Sequence, residues 1–259
     1  MDRSKILPVL AAFFLLSLSC ALCHRSGTLS KRALAQFMTV TNTKKGNHSH
    51  FKSTSFENEF FANSIWNKFS NPDYITTLSF NNSKSKVWLK FAFPFNEQLN
   101  SEVYVHTAGY LDVGRDKDTK HENLDQIIAP FMYPFKLKSR YWKIFVKSET
   151  SYFIVQYNDM EFPDSANVFG KMSFQVTLHE DGFIQFIYKE VPDLSFLKGR
   201  KTYFVGTLVQ ERFFHPNFNE TRINQEMNLA DFHEIRNSTV IALRPLVRIV
   251  TTNLFDTNA

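Results

Sequence analysis

Residues 173–192 read SFQVTLHEDGFIQFIYKEVP, two apolar-alternating runs flanking His179-Glu180-Asp181-Gly182. Phe174, Val176 and Leu178 share one face of the first run; Ile184, Phe186 and Tyr188 share one face of the second. A period of two marks half-buried strands. Asp-Gly between two such runs is a strong hairpin signal, because glycine tolerates the positive φ of the turn. This stretch therefore predicts an antiparallel β-hairpin and sets the fold class.

Outward from the hairpin the same reading repeats. Strands are expected over 75–80, 86–93, 102–107, 110–113, 127–133, 141–147, 151–158, 172–179, 183–189, 202–209 and 239–250. There is no βαβ alternation and no internal repeat. Strands at this density imply an all-β, antiparallel two-sheet sandwich, jelly-roll-like, over residues 57–250. The 28 phenylalanines supply a core that can stand without disulfides. Residues 57–70 place Phe60, Phe61, Ile65, Trp66 and Phe69 at helical spacing, predicting a short N-terminal helix docked by one face. Residues 24–56 are polar and basic without periodicity and read as a flexible leader; residues 251–259 read as a tail. The stretch 114–125 is a charged exposed loop. Residues 211–235 read as a long excursion with a short helix near 224–230, a natural place for a partner site.

Residues 1–23 have the form of a signal peptide. Arg3 and Lys5 precede an apolar run from Ile6 to Leu18, and Ala21-Leu22-Cys23 ends in a small-x-small pattern, with Ser19-Cys20-Ala21 as the other cleavage option. Both cysteines, Cys20 and Cys23, lie inside this segment, so cleavage after Cys23 leaves no thiol for a thiolate metal site, a cysteine nucleophile or a disulfide. Membrane association is expected only if this segment stays uncleaved or the gene continues past Ala259. Four N-x-Ser/Thr sequons, at Asn47, Asn81, Asn219 and Asn237, fit passage through the secretory route.

The formal net charge of +5 is mild and dispersed, which speaks against a nucleic-acid face. Arg25, Lys31, Arg32, Lys44, Lys45 and Lys52 form the one local basic cluster, suited either to an anionic glycan or lipid head group or simply to a solvated leader. No G-x-S-x-G elbow, H-E-x-x-H helix, EF-hand loop or phosphate-cradling glycine loop is present, so no catalytic, cofactor-binding or metal-ligating residue is assigned and a non-enzyme is expected. His48 and His50 are paired at i, i+2 in the leader, a weak metal contact set against a solvated tail, the commoner outcome for this spacing. Asp159, Glu161 and Asp164 are a candidate calcium corner set against a plain exposed loop. Trp66, Trp88 and Trp142 are a candidate sugar-stacking platform set against core packing, the commoner fate of tryptophan.

Several segments, taken in order, resemble the plexin domain-containing family of cell-surface ectodomains. These are VWLKFAFPFNE (87–97), VYVHTAGYLDVG (103–114), IIAPFM (127–132), FIVQYND (153–159), YKEVP (188–192), YFVG (203–206) and NSTVIALRPL (237–246). The resemblance covers roughly 58–246. It departs at Ala108, where the family turn has a second glycine, and at Tyr157, where the family strand has tryptophan. It stops short of the family's cysteine-rich module and membrane span. The resemblance, to a family of single-pass cell-surface proteins, implies a secreted or extracellular non-enzymatic glycoprotein that binds a protein or matrix ligand; a truncated gene model, a shorter isoform and a soluble paralogue all fit the missing parts. A secreted glycan-binding sandwich is the alternative reading. No binding residue is carried over from the family.

Overall fold

The computed structural model describes residues 40–66, 76–77, 83–113, 124–136, 143–166, 168–197, 203–215, 218–230 and 232–246; at 76–77, 124, 165, 196 and 211–225 it describes backbone only. Fourteen strands, one α-helix and two single-turn 3-10 helices (Asp164–Ala166 and Ser195–Leu197) are present among them. In chain order these are β1 (Thr41–Asn47), β2 (Phe51–Glu57), α1 (Glu59–Trp66), β3 (Thr76–Thr77), β4 (Lys84–Phe95), β5 (Gln98–His106), β6 (Tyr110–Val113) and β7 (Leu124–Met132). They continue with β8 (Lys143–Ser148), β9 (Tyr152–Glu161), β10 (Lys171–His179), β11 (Ile184–Glu190), β12 (Phe204–His215), β13 (Phe218–Asn228) and β14 (Thr239–Pro245). They form an eight-stranded sheet in the order β1-β2-β14-β11-β10-β9-β8-β3 and a six-stranded sheet in the order β13-β12-β7-β6-β5-β4. The antiparallel two-sheet sandwich expected from the alternation is the observed architecture.

The hairpin that opens the sequence reading is β10–β11. Val176 pairs with Phe186 and Leu178 with Ile184, and Gly182 takes φ +81° in the turn. Phe174, Val176, Leu178, Ile184, Phe186 and Tyr188 are all fully buried between the sheets. From the six-stranded sheet they meet Phe93, Val103, Val105, Leu111, Ile128 and Phe131, also fully buried. Each such side chain contributes about 1.5–3 kcal/mol of transfer free energy.

The helix occupies the outer face of the eight-stranded sheet, over β11 and β14. Asn58 starts it, its Oδ1 accepting the Phe61 N–H at 2.7 Å. Phe61, Ala62, Ile65 and Trp66 are buried beneath it. This is the docked helix expected over 57–70, seen as far as Trp66; residues 67–70 lie outside the described residues.

The leader reading fails between 41 and 56. Phe51 to Glu57 pair with Pro245 to Thr239 in continuous antiparallel register, which makes β2 an interior strand. The sequence FKSTSFE hides this because its inward positions are Phe51, Ser53 and Ser55, so alternation is present in burial but not in hydrophobicity. The expected helix near 224–230 is also absent. Residues 218–228 are strand, paired with β12 from Gly206↔Asn228 to His215↔Phe218, so the supposed excursion is a long hairpin. The segments 1–23, 24–39 and 247–259 and the loop 114–123 lie outside the described residues.

Candidate functional site

Two features of the sandwich present chemistry outward. The first is a groove of about 720 Å³ at the end of β11 and β14 remote from the Gly182 turn. Its walls are the segment after β11 (191–195) and the segment before β14 (230–237), with Tyr203 and Glu57 completing the lining. Asn237 Oδ1 ties the walls together by accepting the Val191 N–H at 2.7 Å. Asp193 Oδ1 accepts the Ser195 N–H at 2.9 Å and shapes the turn on one wall. Arg236 and Glu234 form an exposed ion pair at 2.9 Å on the other. Phe169, outside the groove lining, has 86% of its surface in solvent, and the following Gly170 packs so closely on Pro192 that an added Cβ would lie 3.2 Å from the proline Cβ.

Beneath the 230–237 wall lies a buried polar chain. His233 Nδ1 is 2.7 Å from Ser55 Oγ, its Nε2 is 3.0 Å from Ser53 Oγ, and Ser53 Oγ is 2.8 Å from His48 Nε2. Ser53, Ser55 and His233 are each under 5% exposed. Burial, then the nearby His48 and Lys44 charges, hold the His233 imidazole down at a pKa of about 4, so it is neutral at physiological pH. The hydroxyls are closed off from solvent and both ring nitrogens are engaged, so the chain clamps the 230–237 wall to β2. It offers no accessible nucleophile. No sequence signal points to it: Ser55 and His233 are 178 residues apart. His48, read as solvated, is drawn into the clamp, and its ring meets Phe232 edge-on at 5.4 Å.

The second feature runs along β4, the edge strand of the six-stranded sheet. Alternation points Val87, Leu89 and Phe91 at the core and turns Lys84, Lys86 and Trp88 outward. Lys86 pairs with Tyr104 of β5, and Trp88 with Glu102. Lys86 Nζ sits 4.2 Å from the Trp88 ring centroid and 5.8 Å from that of Tyr104; Lys84 Nζ lies 5.1 Å from Tyr104. Lys86 also forms an ion pair with Glu102. Trp88 is 63% exposed, against the expectation of core packing, whereas Trp66 is buried under Lys189. Trp142 lies outside the described residues, so the three tryptophans are not shown to form one platform.

The other candidate residues separate. Glu161 pairs with Lys171 at 3.9 Å and Asp164 with Lys136 at 3.3 Å, while Asp159 occupies a positive-φ position, its N–H donating to Ser173 Oγ at 3.1 Å. Among the described residues no group of three or more His, Cys, Asp or Glu side chains is placed to hold a metal ion. Of the sequons, Asn47 is exposed at the end of β1 and Asn237 is exposed at the groove lip. The Asn219 side chain and all of Asn81 lie outside the described residues.

Among the described residues no helix is long and apolar enough to cross a membrane. No solved structure matches the chain. The family model described as NIDO related matches residues 59–213, from α1 into β12, a span typical of extracellular proteins. That span is more than half of the sequence and contains the β4–β5 strip, Phe169 and one wall of the groove: the chain belongs to the NIDO-related family.

Proposed function

We propose that this protein is a secreted or cell-surface glycoprotein whose sandwich binds an extracellular protein or matrix ligand without catalysis, in the manner that its resemblance to plexin domain-containing ectodomains implies. Family membership supports the extracellular setting, and the sequons and signal-like N-terminus agree with it. The observation that carries the reading is the groove with Phe169 beside it. Aromatic side chains are enriched in protein interfaces. The groove's own walls are pinned by the Asn237–Val191 bond and the His233 clamp, so little ordering cost is expected on binding.

The test is secretion of the chain from eukaryotic cells, mass spectrometry of the product in medium and cells, and a binding screen of the purified protein against extracellular matrix proteins. A glycosylated product starting at His24 and a bound matrix protein whose affinity falls about tenfold or more in Phe169→Ala support the reading. Retention inside cells without glycan, or binding indifferent to Phe169 and to the groove walls, removes it.

A further inference from the structure

We infer that the strip formed by Lys84, Lys86, Trp88 and Tyr104 binds a sulfated glycan chain. This is a second ligand class, at a surface separate from the groove. The strip joins the two features such a ligand needs. Sugar rings present apolar C–H faces that stack on an exposed aromatic ring, and Trp88 offers one, 63% exposed, on a strand whose opposite face is locked in the core. Sulfate groups need cations in a repeating row. Outward positions on a strand recur about every 6.6–6.8 Å, which places Lys84 and Lys86 one repeat apart along β4, with the exposed Lys90 farther along the strand, beyond a register shift that follows Trp88.

The arrangement is held in place before any ligand arrives. The lysine ammonium groups rest over the Trp88 and Tyr104 rings, an attraction of roughly 0.5–1 kcal/mol each at exposed sites. Cross-strand pairing with β5 fixes the register from Lys84 to Trp88, and past the register shift that follows, the Lys90 N–H donates to Ser148 Oγ at 3.2 Å in the other sheet. Glu102 pairs with Lys86, and the buried Asp112 stands across from Tyr104 on the same face. Three lysines against these two carboxylates leave the strip net positive, so a neutral glycan would use the ring and waste the charge. A flat protein surface would seldom match a single row of cations.

The probe is a heparin decasaccharide titrated calorimetrically into the full secreted chain, with a hyaluronan fragment of equal length as the unsulfated acidic control. The decasaccharide should bind, and more weakly as salt rises, because exposed charges are screened. Lys84→Ala/Lys86→Ala should weaken it about tenfold or more, since each lost charge pairing also lowers the local potential. Trp88→Ala should weaken it about fivefold while leaving the salt dependence unchanged, the signature of a stacking contact. Lys84→Arg/Lys86→Arg keeps charge and fold and should bind like the wild type, so a misfolded alanine variant cannot pass for a lost site. Lys44→Ala/Lys45→Ala, on exposed β1, should have no effect. Equal binding of hyaluronan, indifference to the Trp88 and lysine-to-alanine changes, or loss of binding in the Lys44/Lys45 variant would each overturn the assignment. A Phe169→Ala change should leave the decasaccharide unaffected, so the two surfaces stand or fall separately.

Discussion

The phenol of Tyr188, on β11 of one sheet, donates a 2.5 Å hydrogen bond to the Pro130 carbonyl on β7 of the other. Both groups are buried, and burial raises the Tyr188 pKa well above the ordinary phenol value, so the hydroxyl stays protonated and remains a donor. The proline is tolerated inside a paired strand because the β7–β12 register shifts there, between Phe204↔Met132 and Gly206↔Ala129. A second phenol makes the same kind of crossing: Tyr157 Oη donates to the Tyr110 carbonyl at 3.2 Å while its ring stacks on Phe174 at 4.7 Å.

Tyr188→Phe should therefore destabilise the domain by about 1–3 kcal/mol, because it leaves a buried carbonyl without its donor while hardly changing the packed volume. Urea unfolding would show a lower midpoint with an unchanged slope. A variant as stable as the wild type would mean that water reaches Pro130.

The two small residues of the Ala108-Gly109 turn are held to different tolerances. Gly109 sits at φ +78°, and a Cβ there would lie 2.2 Å from the Phe131 carbonyl oxygen. Ala108 has no positive φ, and its carbonyl accepts the Tyr133 N–H at 2.9 Å, a contact its methyl group does not obstruct. Gly109→Ala should cost about 3 kcal/mol or more. Ala108→Gly should cost only about 0.4–1 kcal/mol, through the unfolded chain. Thermal unfolding of the pair checks this: similar losses for both would show that the turn adapts to either residue.

Where side-chain chemistry follows the two-residue period, the fold is legible in the sequence. SFQVTLH and IQFIYKE announce β10 and β11 because every inward position is apolar. FKSTSFE conceals β2 because two of its inward positions are serines whose partner is a histidine far along the chain. The end of β13 was masked in the same way, since NQEMN carries no clear alternation around the buried Met227. The β4 strip was half-visible: the lysines and Trp88 stand at alternate positions in KSKVWLK, but only the edge placement of β4 decides that the tryptophan faces water. The groove was not legible at all, because its walls come from segments about forty residues apart and are joined by the Asn237–Val191 bond.

Asn58→Ala tests how α1 is anchored. The side chain caps the Phe61 N–H, and the Asn58 backbone N–H donates to Ser238 O at 3.1 Å, beside the groove. Loss of the cap should cost about 1 kcal/mol. Amide exchange should rise first within α1, because its opening is local. Uniformly faster exchange across the sheets would instead make the helix part of the global folding unit.

The His233 clamp predicts a pH dependence with a definite sign. The folded-state pKa is near 4 against 6.5 for the free side chain, so as pH falls the unfolded chain takes up the proton first. The stabilisation is complete above pH 6.5, declines between 6.5 and 4, and levels off below. His48 and His179, both lowered by burial, add to the trend with the same sign. With allowance for solvent screening near the surface, His233 alone should account for on the order of 1–2 kcal/mol between pH 7 and 4.5. The nearby His48 and Lys44 charges further disfavour the protonated ring. His233→Gln should lower stability at pH 7 and flatten the pH slope relative to the wild type, which the difference in urea midpoints at pH 7 and pH 5 would reveal. The groove wall should loosen together with the clamp, so affinity for a groove ligand should fall over the same pH interval in the wild type and stay flat in the variant. If variant and wild type lose stability in parallel from pH 7 to 5, the imidazole is not the titrating group.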